Sequence, residues 1–150
     1  MDEGIELLLN GQQYKRFQEK FLGPIAEEYE LSVLELRLLR FLDIHQYLDT
    51  AKDIVKVRHW TKSHVSKAIE NLIERGYLQR QIDERDRRKV HLTLQEQADP
   101  LLMRIQTEYQ TMHQIVLQGI SEEELQVVAQ VAEKISGNIT GFRNKDRLKS

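Results

Sequence analysis

The sequence predicts a mainly α chain with one small β-hairpin, set in a compact head that longer helices flank on both sides. Three observations predict it. Apolar residues recur at helical spacing through most of the 150 residues. The period changes to two only briefly, at Val90, Leu92 and Leu94, downstream of Gly76. Two prolines and seven glycines are too few to punctuate a many-turned β fold.

Residues 5–29 form the first predicted helix, with Ile5, Leu8, Leu9, Phe17, Phe21, Leu22 and Ile25 on its apolar side. Gly23-Pro24 predicts a kink or a break, because proline removes a backbone donor and crowds the preceding turn. Ser32 opens the second helix with Glu35 three residues on, a capping box, and Leu34, Leu38, Leu39, Phe41 and Leu42 give its buried stripe. Thr50 caps a short third helix, Ala51–Arg58, with Ile54, Val55 and Val57 inward. Thr61 caps the fourth, where Val65, Ala68, Ile69, Leu72 and Ile73 fall on one helical face until Gly76 stops it.

Beyond Gly76, Tyr77–Arg80 reads as one short strand and Val90–Leu94 as another, joined by the charged loop Gln81–Lys89. Helix, helix, strand, loop, strand is the plan of a winged helix-turn-helix, whose two short strands need the helices to pack on. Residues 96–117 are helical again, and Ser121-Glu122-Glu123-Glu124 is a capping box opening a last helix to about Gly141. The tail from Arg143 is expected to fray. The whole, 1–150, reads as one domain, with a head over about 32–94 and pairing helices at 5–29 and 96–141.

The absence of cysteine excludes a disulfide framework, Cys-ligated metal and thiol chemistry. No apolar run is long enough for a membrane span, and the acidic start, Met1-Asp2-Glu3-Gly4, is unlike a signal peptide, so the expected location is the cytoplasm. No catalytic constellation or Gly-rich phosphate loop is present, which argues against an enzyme. The five histidines lack metal-ligand spacing, and no cofactor or metal is expected.

A net charge of −2 hides a strong asymmetry. Residues 51–91 carry 11 Lys/Arg against 6 Asp/Glu, leaving 11 against 18 for the rest. Within that basic stretch, Lys62, Ser63, His64, Ser66 and Lys67 face away from the core stripe of the fourth helix, at the end where the helix dipole favours phosphate. A helix presented this way fits a major groove. The plain alternative is a solvated face, and the turn-helix before it and basic hairpin after it weigh against that. In the loop, Arg85, Arg87, Arg88 and Lys89 stand among Asp83, Glu84 and Asp86. Arginine on a thin hairpin can enter a minor groove, and the plain alternative is a surface hairpin with local ion pairs.

The runs Leu72-Ile73-Glu74-Arg75-Gly76-Tyr77-Leu78-Gln79-Arg80, Asp83-x-Arg85-Asp86-Arg87-Arg88 and Val90-His91-Leu92-Thr93-Leu94 resemble the MarR family of transcription regulators, and the helix order is similar over nearly the whole chain. The resemblance implies a homodimer binding a pseudopalindromic double-stranded DNA operator. It places Thr61, Lys62, Ser63, His64, Ser66 and Lys67 on or opening a recognition helix over 62–75. It places Arg85, Arg87 and Arg88 on a DNA-contacting wing over 81–89, with Arg87 or Arg88 in the minor groove and Asp83 and Asp86 bracing wing arginines. Gln95 and Ala98 depart from the family pattern and leave the start of the fifth helix open. Repression is the expected outcome, with a small-molecule effector as the expected signal. Its candidate contacts are the aromatics Tyr14, Phe17, Tyr47 and Trp60, although aromatics are more often core than ligand wall. The competing class is a winged helix that binds protein or RNA without an operator.

Overall fold

The computed structural model describes residues 11–149, so Ile5, Leu8 and Leu9 lie outside the described residues. The helices are α1 (Gly11–Tyr29), α2 (Val33–Ile44), α3 (Ala51–Arg58), α4 (Lys62–Glu74), α5 (Asp99–Val116) and α6 (Glu122–Lys149). Strands β1 (Leu78–Ile82) and β2 (Val90–Leu94) separate α4 from α5. The chain folds as two compact units. Residues 18–111 form one, and residues 11–17 belong with residues 112–149 in the other.

In the larger unit, α1 does not break at Gly23-Pro24. A proline costs one backbone donor and adjusts the turn before it, and the helix continues on both sides. It ends instead at Glu30, which takes a left-handed φ of 55° so that Leu31 N–H reaches the Ala26 carbonyl at 2.9 Å. This is a Schellman ending without the usual glycine. Arg75, arriving from the end of α4, donates to the Tyr29 and Glu30 carbonyls and so supports that turn.

The predicted cap of α2 is present. Glu35 N–H donates to Ser32 Oγ, Ser32 N–H to Glu35 Oε2, and Asn71 of α4 donates to the remaining carboxylate oxygen at 3.0 Å. Leu36 joins Leu38, Leu39, Phe41 and Leu42 in the core, while Leu34 is only half-buried. In α3, Thr50 and Asp53 form a second reciprocal cap; Ile54 is fully buried, and Val55 and Val57 are partly so. Val65, Ala68, Ile69 and Leu72 bury the inner face of α4.

Gly76 ends α4 as expected. Its φ of 82° lets Gly76 N–H bond Ile73 O and Tyr77 N–H bond Leu72 O. The antiparallel register runs from Leu78 opposite Leu94 to Ile82 opposite Val90. The first strand is therefore longer than the predicted Tyr77–Arg80, and the connecting loop is 83–89. Only Leu78 of β1 is buried, so no inward alternation marks the strand's far end. Leu92 N–H donates to the Asp49 carbonyl at 2.8 Å, tying β2 to the α2–α3 turn.

A 3-10 turn, Glu96–Ala98, precedes α5, with Gln95 at its cap position making no capping bond. Leu101, Leu102 and Ile105 are buried. In the smaller unit, Ser121 and Glu124 form the predicted capping box of α6. That helix does not stop at Gly141 but runs to Lys149. Glycine disfavours a helix by roughly 1 kcal/mol without ending it, and Gly137 and Gly141 lie inside α6 without left-handed φ. No residue of α6 is buried.

Candidate nucleic-acid interface

The first turns of α4 present Lys62, Ser63, His64, Ser66 and Lys67 as exposed side chains, while Val65 and Ala68 anchor the opposite side. Thr61 occupies the cap position but does not cap. Its hydroxyl shares a 2.7 Å hydrogen bond with Nδ1 of His64 instead. The sequence pattern could not show this pairing. The consequence is local: no side chain caps the first N–H groups of α4, and no acid stands in its first turn. That end of the helix is left with donors and a positive dipole directed outward.

The hairpin turn is organised by its acids. Asp83 Oδ1 accepts the N–H groups of Arg85 and Asp86 at 2.8 and 3.0 Å, and Asp86 Oδ1 accepts that of Arg88 at 3.1 Å. The turn closes with Asp83 N–H on Lys89 O and Lys89 N–H on Asp86 O. Asp83 and Asp86 were expected to hold arginine side chains. They hold backbone instead, because a short carboxylate reaches N–H groups two or three residues on more readily than a flexible guanidinium. Among the described residues, no ion pair joins either acid to Arg85, Arg87 or Arg88, all three of which are exposed.

Two further contacts fix the hairpin to the helices. Arg80 of β1 pairs with Glu70 of α4. His91 of β2 lies between two carboxylates, with Nδ1 2.6 Å from Asp49 Oδ1 and Nε2 2.7 Å from Asp83 Oδ2. The hydrogen bonds to Asp49 and Asp83 raise the His91 pKa above its usual 6.5. The bond from His91, with those from the Asp86 and Arg85 amides, lowers Asp83 to about 2. Sequence reasoning missed both Asp49 and His91 as partners, since they are 42 residues apart and carry no local signature.

The four aromatic candidates divide between the two units. Tyr14 and Phe17 are 6.4 Å apart, centroid to centroid, in the smaller unit. In the larger unit, Tyr47 is 96% exposed and so walls no enclosed cavity. Trp60 is half-buried under the Arg37 guanidinium, 4.9 Å from its ring. An open groove of about 520 Å³ does flank α4, but Leu34, Glu35, His64, Lys67, Asn71 and Glu74 are among its lining residues and none of the four aromatics is. Among the described residues, no group of three or more His, Asp or Glu could hold a metal. No described helix is long and apolar enough to cross a membrane.

Comparisons with known proteins find one family model and several solved structures of the same fold. Residues 29–89 match the model of the MarR family. A MarR protein from Peptoclostridium difficile shares the fold with a TM-score of 0.70 at 22% identity, covering 93% of this chain and 91% of that one. The S. aureus MepR–DNA complex gives 0.65 at 21% identity, with 89% and 91% covered. A Listeria monocytogenes chain assigned to the same family, complexed with 26mer DNA, gives 0.73 at 17% identity, with 93% and 90% covered.

Proposed function

Starting from a chain whose residues 29–89 match the MarR family and whose fold is that of MarR family regulators, we propose that it is a cytoplasmic transcriptional repressor that binds an operator as a homodimer and catalyses no reaction. The observation that carries this reading is the pairing of two cationic elements in one compact unit. One is the uncapped, acid-free start of α4 with Lys62 and Lys67 exposed. The other is a hairpin turn whose backbone is fixed while Arg85, Arg87 and Arg88 remain exposed. Two structures of the same fold were obtained with DNA, which supports the same direction.

In this reading α4 enters the major groove. Lys62, Ser63, Ser66 and Lys67 reach phosphates or base edges, and backbone N–H groups at the helix start take a phosphate. The Thr61 hydroxyl, when it donates to Nδ1 of His64, places the ring proton on Nε2, which then meets a purine acceptor or phosphate as a donor. Arg87 or Arg88 enters the flanking minor groove, where the potential of a narrow A·T tract is most negative. The twofold needed to place two heads about 34–36 Å apart comes from the exposed apolar stripe of α6. For an effector, Trp60 is the aromatic best placed: a molecule displacing Arg37 from its face would act two residues before Lys62.

Salt titration tests the reading. Binding to a duplex should weaken with a slope near −0.9 per phosphate contact on logarithmic axes. Lys67→Ala should lower that slope by about one if the lysine meets phosphate, or relax preference at one base pair if it reads guanine. Arg88→Ala should weaken binding and reduce the advantage of A·T-rich flanks. A shallow slope, with both variants at wild-type affinity, would instead fit a protein-binding module.

A further inference from the structure

We infer that His91 is a positioning residue for the wing: clasped between Asp49 and Asp83, it latches the hairpin turn to the α2–α3 turn and so sets where the wing arginines stand. The inference rests on the DNA-binding reading above and adds to it a residue outside the recognition surface.

Three separate pieces of chain meet at one ring. Asp49 belongs to the turn between α2 and α3, Asp83 is the first residue of the hairpin turn, and His91 is the second residue of β2. The three side chains are about a quarter to a third exposed, so water does not dominate their contacts. The backbone reinforces the same junction through Leu92 N–H on the Asp49 carbonyl. Asp83 does double duty: one oxygen faces the His91 ring and the other holds the Arg85 and Asp86 amides. A shift of His91 is therefore transmitted to the backbone on which Arg85, Arg87 and Arg88 are mounted.

The chemistry requires a charged ring. A neutral imidazole has one N–H and one lone pair, so it can donate to only one carboxylate and turns its lone pair toward the other. The imidazolium donates to both, and each such bond is charge-assisted. The charged groups bearing on the ring are Asp49 from the helix turn and Asp83 from the wing. Its partner across the hairpin, Gln81, is neutral, and α2 and α3, which also pack on β2, add no charged group to its shift. With the His91 pKa raised, the latch is complete below the ring's ordinary 6.5 and is lost as pH rises through the raised value. Asp83 keeps its charge down to about 2, so acid does not open the latch first.

The test uses the full chain, free and with an A·T-rich duplex spanning three helical turns in dilute salt. In the free protein, the His91 ring resonances should titrate above 6.5 and exchange of the Arg85 and Asp86 amides should quicken across the same transition by more than it does in His91→Gln. Asp49→Asn should bring the ring pKa down. Duplex affinity should fall about fivefold between about pH 6 and about pH 9 for wild type, beyond any fall shared with His91→Gln. His64→Gln should retain that excess, since His64 faces the duplex and not the latch. A ring that titrates at or below 6.5, or wild-type and His91→Gln profiles that run parallel on a bound duplex, would overturn the latch alone. No duplex bound at either pH, with the ring transition intact, would overturn the DNA reading and the wing's part in it.

Discussion

Replacing Ile135 and Ile139 with glutamate should turn a dimer into a monomer and cost roughly 10²–10⁴-fold in operator affinity. The expectation comes from what α6 lacks. None of its residues is buried, yet Val127, Val131, Ile135 and Ile139 repeat every four positions, each about half exposed, and Phe142, 67% exposed, continues the same side. Four-residue spacing keeps such side chains on one helical face. Fully burying a residue of this kind stabilises by about 1.5–3 kcal/mol, so the half still exposed at five positions amounts to several kcal/mol per chain. A second copy doubles the sum, enough to offset the ~4–15 kcal/mol cost of association. Two glutamates per chain would put four carboxylates into that seam. Because α6 contributes nothing to a buried core, helix content should survive, and sedimentation can separate lost pairing from lost folding. A doubly substituted chain that still sediments as a dimer would show that pairing uses another surface.

Phe41→Ala should remove about 3–5 kcal/mol of stability, the largest single loss available in the head. Phe41 is fully buried in the last turn of α2, with the His45 ring centroid 4.6 Å away and the Arg58 guanidinium 5.5 Å from its own. Alanine leaves a cavity that Leu38, Leu39 and Leu42, each in the same core, cannot close without leaving their own positions. The contact with Arg58 also ties the end of α3 to α2, so the loss should loosen the turn that leads into α4. Urea unfolding at fixed protein concentration measures it, since pairing adds a concentration-dependent contribution. A loss below about 1 kcal/mol would mean that the α2 core is far less tightly packed than its burial implies.

Features encoded within four residues of chain were legible in the sequence. Ser32 with Glu35 and Ser121 with Glu124 carry their partner three positions away, and Thr50 was readable as a cap. Val90, Leu92 and Leu94 showed β2 to the residue. Gly76 was readable as a stop because only glycine enters the left-handed region without strain there. The same logic failed at Gly141, where no left-handed turn follows and α6 simply continues. It failed again at Glu30, where a non-glycine residue takes that conformation with Arg75 supporting its carbonyl.

The cationic face of α4 and the wing arginines were likewise visible as a cluster, since they are contiguous in sequence. What holds them was not. Thr61 is bonded to His64 and makes no cap bond, and the acids of the wing bind amides in preference to guanidinium groups. Asp49 and His91, Arg75 and Glu30, and Arg104 and Glu28 meet only because the chain folds back across 42 to 76 residues. Hydrophobic period reports which face is inward; it carries no information about which distant polar groups then meet.

Selection of bound duplexes from a random pool by the purified chain tests the central claim most directly. A recovered motif should be an inverted repeat with half-site centres about one helical turn apart and A·T enrichment on its outer flanks. A pool that returns no common motif, or a motif without twofold symmetry, would contradict a paired head-and-wing reader of duplex DNA.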